Sequence, residues 1–393
     1  MHIQKKLKIS IHHFIDFCNK NFLLGLLAKW VSDNRKKPRI SCVSIFFHLL
    51  LMGALGLPSF LQLDLLLRSK RLLPSIQPAS DSTFARTLNL MSLHPLRLIL
   101  KSIALKVINS GKGKAELPEV GKAKVGIVDG TTFGKMYASV ISISGQVDMP
   151  IDIEPWEGRG KELQASYTLL DRFLKTYGKG FVDYTVADGL YANRNFFSFC
   201  IEKLGCHGVV KTDEERLQVI GFAEGLFRTY QEGDEYIEYV EGIDSLRMER
   251  YQIWATSYIE WEGLKYPLRV AKVIEEHLGG KYKGKIEIYY VITTDTNLPG
   301  LAMKELAKIR WHIENETFKA LNEQCHSKHC FVRGEGMAAL ELILFISLFI
   351  LVEVYKEMVE ERKEELNLKR WHKISFRFLR ELFRYSLGVE DSS

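Results

Sequence analysis

Through residues 1–115 apolar side chains recur every three or four positions, the period of amphipathic helices, with breaks at Asn34 to Pro38, Gly56-Leu57-Pro58 and Leu73-Pro74. This segment is expected to be a helical domain. Asp81-Ser82-Thr83-Phe84 has the composition of a capped helix start before Ala85, and Ser110-Gly111-Lys112-Gly113-Lys114 that of a linker. From residue 122 the period changes. Lys124 to Asp129 is a short apolar strand, Met136 to Ser144 alternates and is β-branched, and Met149 to Trp156 is a third strand, so the three form a meander. Glu162 to Thr176 predicts a helix closed by Gly178, Phe181 to Ala187 a buried fourth strand, Ala192 to Leu204 another helix, and Gly208 to Lys211 a short strand.

Residues 213–300 break this alternation of strands and helices. Tyr236 to Val240, Tyr251 to Ala255, Leu268 to Val273 and Lys285 to Thr293 all have strand composition, which makes the segment a β-rich insertion. Leu301 to Gln324 is then a long helix and Gly336 to Met358 an apolar one. The division expected is a helical domain over 1–115, an α/β core over 116–212 and 301–360 interrupted by the insertion at 213–300, and a basic helical tail over 361–393.

Composition is that of a globular protein, and 393 residues suffice for more than one domain. The net charge of +6 is modest but unevenly spread. Residues 1–40 hold nine Lys/Arg against Asp16 and Asp33, and residues 369–384 hold six against Glu381. Residues 221–263 carry ten acids against three arginines. Basic ends suit a polyanionic partner, and they equally suit solvated helix faces. Six cysteines in so long a chain are no disulfide framework, so a cytoplasmic location is expected. The basic start at Met1 lacks the apolar core and cleavage site of a leader. Cys42 to Leu63 is interrupted by His48, Pro58, Ser59 and Gln62, and Leu342 to Val352 is too short to cross a bilayer. Both are expected to be buried helices, with no membrane partner.

Candidate chemistry lies in three acids. Asp129 ends the run Val125-Gly126-Ile127-Val128, and Asp188 ends Val182 to Ala187. Glu314 lies in the helical stretch Arg310-Trp311-His312-Ile313-Glu314-Asn315. Taken singly, each has an ordinary reading. The aspartates suit turns before Gly130 and Gly189, and Glu314 suits a surface pair with Arg310 one turn earlier. Taken together, two strand-end aspartates and a helix-borne glutamate converging by folding would have to relieve their repulsion with protons or cations. A meander, a helix, a fourth strand and later helices match a ribonuclease H-like core, in which the first and fourth strands run side by side. Acids at their ends suit two Mg²⁺ ions roughly 4 Å apart, with Mn²⁺ as a substitute, the apparatus of phosphodiester cleavage.

The chain resembles the DDE transposases of bacterial insertion sequences, in the branch with a β insertion before the last acid. The matching residues are Ile127-Val128-Asp129-Gly130-Thr131, Ala187-Asp188-Gly189-Leu190-Tyr191, and Arg310-Trp311-His312-Ile313-Glu314-Asn315 with Phe318-Lys319. Asp81-Ser82-Thr83-Phe84 also resembles that branch's N-terminal region, and the likeness covers roughly residues 70–355. It implies that Asp129, Asp188 and Glu314 are the catalytic, metal-binding triad and that Arg310 contacts DNA. It also implies double-stranded DNA partners (terminal inverted repeats and target) and a homodimer in the synaptic complex. The family's tyrosine and lysine positions are here Ala307 and Leu321, both departures, with Lys319 a substitute for the lysine. Trp254 or Trp261 in the insertion is a candidate to stack on a flipped base. Two rival readings stay open: a silent DNA-binding protein on a transposase scaffold, and a nuclease of the same fold that does not join strands. Cys325-His326-Ser327-Lys328-His329-Cys330 offers four zinc-ligand types, crowded more closely than zinc-finger spacing.

Overall fold

The computed structural model describes residues 10–69, 77–146, 148–158, 160–231, 234–361 and 375–387. Its N-terminal part is helical, as the three- and four-residue period predicts. Helices α1 (Ile11–Phe22), α2 (Cys42–Leu55), α3 (Phe60–Arg68) and α4 (Asp81–Leu88) each start behind a serine. Ser10, Ser41, Ser59 and Ser80 accept from backbone N–H groups three residues on, each cap stabilising by about 1 kcal/mol. The cap of α4 is thus Ser80, and Asp81 is its first helical residue. Helix α5 (Leu93–Asn109) follows. The Gly56-Leu57-Pro58 break turns α2 into α3 through 107°, with Gly56 left-handed at φ 59°.

After the small hairpin of β1 (Ala115–Leu117) and β2 (Gly121–Ala123), the chain builds a nine-stranded mixed sheet. The meander β3 (Val125–Phe133), β4 (Met136–Ser144) and β5 (Met149–Trp156) is antiparallel. Helix α6 (Glu162–Tyr177) then carries the chain to β6 (Tyr184–Ala187), which lies parallel to β3. Helix α7 (Arg194–Phe199) leads to β7 (His207–Thr212), parallel to β6. The segment expected to be an insertion is β-rich, but it continues this sheet. Strand β11 (Ile286–Thr293) pairs antiparallel with β7, and β10 (Arg269–His277), β9 (Glu249–Thr256) and β8 (Ile237–Asp244) extend it outward. The reason is that β7 otherwise presents a row of unpaired backbone groups, which an added strand satisfies. Hydropathy did not announce α8 (Gln218–Thr229), which packs on β9 and β10.

The long helix α9 spans residues 300–325. It is α-helical over Gly300–His312, widens into π turns over Ile313–Phe318, and is α-helical again over Lys319–Cys325. The apolar helix α10 (Glu335–Glu361) is long and apolar enough to cross a membrane, but 88% of its apolar window is buried inside the protein. It packs on α2, α4, α5 and β5. Ser347 donates to the Leu50 carbonyl at 2.7 Å, and a side chain at Gly53 would lie 2.8 Å from Ser347 Oγ, so this helix crossing is close. The N-terminal helices therefore share one continuous core with the sheet and α10.

The tail helix α11 (Phe376–Ser386) folds back onto α2. Its Arg380 is buried, donating to Gln324 at 2.6 Å and to the Gly53 carbonyl at 3.2 Å. Arg377 pairs with Glu381 at 3.1 Å. The reading of the basic tail as a polyanion-binding end is corrected at Arg380, whose charge serves the interior. Lys369, Arg370 and Lys373, with Lys5, Lys6 and Lys8 at the other end, lie outside the described residues.

Candidate active site

Strand register brings the two aspartates together. Ile127 of β3 pairs with Val186 of β6. Two residues further along both parallel strands come Asp129 and Asp188, on the same face because side chains alternate. Asp129 lies within β3, which runs on to Phe133, while Asp188 follows the end of β6. There Asp188 accepts from the Leu190 backbone N–H at 2.9 Å, capping the short turn Gly189–Tyr191.

Helix α9 covers that face. Arg310 Nη1 lies 3.4 Å from Asp129 Oδ2 and 3.4 Å from Glu314 Oε1. Arg310 Nε is buried with no hydrogen-bond partner among the described residues. Glu314 sits in the π-turn segment and is 45% exposed, whereas Asp129 is buried. π turns inside α-helices are frequent at functional sites, because the widened turn re-aims side chains. Burial pushes the Asp129 carboxyl up to about 7; Arg310 opposes this, and the negative charges of Glu314 and Asp188 add to it. Burial also raises Asp188; the Leu190 N–H and Arg310 oppose it, and Glu314 adds to it. The three acids predicted from sequence thus feel one another's charge.

A fourth carboxylate, which the sequence reading missed, stands on the opposite face. A side chain on Gly130 would lie 2.4 Å from Glu162 Oε1, in the first turn of α6. Burial raises Glu162, and Asp188 adds to that. Glycine at 130 therefore leaves the room that Glu162 occupies. Beside it, Ser166 links Ser139 at 2.7 Å to Tyr191 at 2.6 Å. The available signal is an acid opening the helix directly after the meander, a position that dipole complementation alone accounts for.

On its other side Asp188 borders a cleft of about 450 Å³, lined also by Gly189, Lys211, Thr212, Asp213, Lys285, Glu287 and Arg310. Lys211 was read only as the end of a strand. Trp254 is not among the lining residues; it is half-buried against Tyr239, with ring centres 5.0 Å apart. Trp261 is buried against Phe197 and the Arg194 guanidinium. Lys319 is 62% exposed and 3.9 Å from Glu323. Ala307 and Leu321, which depart from the transposase pattern, are buried apolar residues. The other strand acids are engaged elsewhere. Asp183 accepts from Lys124 N at 2.7 Å, Asp148 from Ser144 at 2.9 Å, and Asp152 pairs with Arg97 at 2.9 Å and Arg172 at 2.6 Å.

The donor set of Asp129, Asp188 and Glu314 is carboxylate oxygen throughout, which suits a hard divalent cation such as Mg²⁺ or Mn²⁺. Among the described residues no group of three or more His, Cys, Asp or Glu is drawn tightly enough to hold a metal ion. Here a guanidinium lies between two of the acids, supplying part of the positive charge that such a site requires. The same absence covers Cys325, His326, His329 and Cys330. Cys325 is buried, Cys330 donates to the Val332 carbonyl at 3.4 Å, and His329 packs edge-on to Phe331. All six cysteines are free thiols. No family model matches the chain, and no curated protein matches it.

Proposed function

We propose that this chain is a DDE transposase with a ribonuclease H-like core, cutting DNA at the ends of a mobile element and joining those ends to a target. One observation carries the reading. The β3–β6 pairing ends with Ile127 beside Val186, two residues before Asp129 and Asp188, and Arg310 joins Asp129 to Glu314 from the covering helix. The order of strands β5-β4-β3-β6-β7 and the π turns around Glu314 support it further.

Asp129, Asp188 and Glu314 are the residues that would hold Mg²⁺, which when bound lowers the pKa of water and neutralises charge on the attacked phosphate. The chain's own part is electrostatic. Neighbouring carboxylates attract cations strongly, and Arg310 holds Asp129 and Glu314 together before any cation arrives. In hydrolysis a water oxygen bonds to phosphorus, the bond to the 3′-oxygen breaks, and the freed 3′-hydroxyl takes the proton. In joining, that hydroxyl's oxygen bonds to a target phosphorus, the target's own bond to its 3′-oxygen breaks, and the leaving 3′-oxygen takes up the proton to become a hydroxyl. The partners are double-stranded DNA, as terminal inverted repeats and target, and a second copy of the chain in the synaptic complex. A cytoplasmic location is supported by the six free thiols.

The test is nicking and joining of a supercoiled plasmid carrying the chain's gene with its flanking DNA. Wild type is expected to nick it with Mg²⁺ and to yield joined products with a second duplex, and Asp188→Ala is expected to do neither while still binding DNA. Equal nicking by Asp188→Ala overturns the reading. Nicking without joining makes the protein a nuclease of the same architecture.

A further inference from the structure

We propose that Lys211 is a DNA-phosphate-binding residue, seated beside the acids and free to take a non-bridging oxygen of the strand that crosses them. The inference rests on the transposase reading and goes past it, since neither the motif nor the resemblance pointed to Lys211.

The register again supplies the geometry. Ala187 of β6 pairs with Val210 of β7, and one residue further along both parallel strands come Asp188 and Lys211. Asp129 on β3, Asp188 just past the end of β6 and Lys211 on β7 thus lie side by side, on the face that α9 covers. Neighbouring strands lie about 4.8 Å apart, so the ammonium starts one strand away from the Asp188 carboxylate.

The surroundings of Lys211 leave its ammonium without a close ionic partner among the described residues. Its ammonium stands 4.3 Å from the centre of the Tyr289 ring, a contact that holds the cation without consuming its hydrogen-bond donors. Among the described residues it makes no ion pair. The other cations lining the cleft are engaged, Lys285 with Glu287 at 2.7 Å and Arg310 with Asp129 and Glu314 at 3.4 Å each. Burial, and then the nearby Arg310 charge, disfavour the Lys211 cation, and Glu287 and Glu275 offset this only in part; an incoming phosphate would relieve the remaining cost. The cleft also contains Asp188, Asp213 and Glu287. Three acids therefore face three cations, and a strand entering it needs each unpaired positive charge.

The experiment measures anisotropy of a fluorescein-labelled duplex from the element end against sodium chloride concentration, for wild type, Lys211→Ala and Lys211→Arg. Losing one phosphate contact should reduce the slope of log affinity against log salt by about 0.9, and arginine should restore it. A slope for Lys211→Ala equal to that of wild type overturns the inference while leaving the transposase reading intact. So does a reduced slope that arginine fails to restore, which marks a structural role. If wild-type protein neither binds the duplex nor nicks plasmid, the transposase reading fails and this inference fails with it.

Discussion

Glu275→Gln offers a direct measure of how α9 is fixed to the outer half of the sheet. Glu275, on β10, is 1% exposed. Two lysines of α9 converge on it: Lys304 at 3.2 Å and Lys308 at 2.8 Å. Lys308 has a second partner in Glu249 at 2.8 Å. Lys304 has the Tyr251 ring 4.7 Å away. Glu275 Oε1 has no aligned hydrogen bond among the described residues, so Lys304 holds it by charge. Two unit charges 3.2 Å apart attract by about 5 kcal/mol at an effective dielectric of about 20. Removing one partner of a buried pair typically costs about 3–5 kcal/mol, because the other charge stays buried. A loss of that size is a large share of an ordinary protein's stability of about 5–15 kcal/mol. Urea unfolding followed by tryptophan fluorescence should therefore show Glu275→Gln destabilised by about 3 kcal/mol or more. The double variant Lys304→Met with Glu275→Leu should recover most of the loss, since apolar replacements carry no desolvation penalty. A single-variant loss under about 1 kcal/mol, in the range of an exposed pair, would refute the reasoning. So would a double variant no more stable than the single.

Further predictions concern the site and the core. The Asp129 carboxyl is raised in the fold to about 7, so its contribution to stability is complete in acid and is lost as pH rises through about 7. Asp129→Asn should flatten that fall between about pH 5 and about pH 8, and identical urea midpoints for the two proteins at both pH values would count against the buried carboxyl. Glu341 is fully buried, accepts among the described residues only from Ser327 at 3.2 Å, and is pushed well above its ordinary value by burial. The sign is the same, so Glu341→Gln should be more stable than wild type at about pH 8 and lose the advantage in acid. Gly130→Ala should displace the Glu162 carboxylate and impair nicking without unfolding the chain. Circular dichroism and the plasmid assay read this together, and wild-type nicking would show that Glu162 can move freely.

Much of the fold was readable from local pattern. Met136 to Ser144 and Met149 to Trp156 are strands at the expected bounds, because β-branched residues and turn signals coincide there. The two candidate aspartates were readable because each follows a strongly apolar run, whereas Glu314 stands in the polar stretch Arg310 to Asn315 and was picked out by the resemblance. What was not readable depends on pairing across the sheet. Nothing within Gly208 to Lys211 says that this strand will lie beside β6, yet that pairing brings Lys211 to the cleft beside Asp188. Likewise Glu162 opens a helix in the ordinary way, and only the close approach of α6 to Gly130 sets it behind the acids, where it feels the charge of Asp188. Residues 213–300 showed their strands but not their destination, since edge pairing to β7 is decided by backbone groups common to every sequence.

The central claim is that Asp129, Asp188 and Glu314 jointly bind divalent cations, and Mn²⁺ titration followed by electron paramagnetic resonance tests it most directly. Wild-type protein with a DNA end bound should immobilise Mn²⁺ in competition with Mg²⁺. Asp129→Asn, Asp188→Asn and Glu314→Gln should each weaken that binding by about tenfold or more, as expected when a charged ligand is lost. Equal Mn²⁺ affinity in wild type and all three variants would contradict the account.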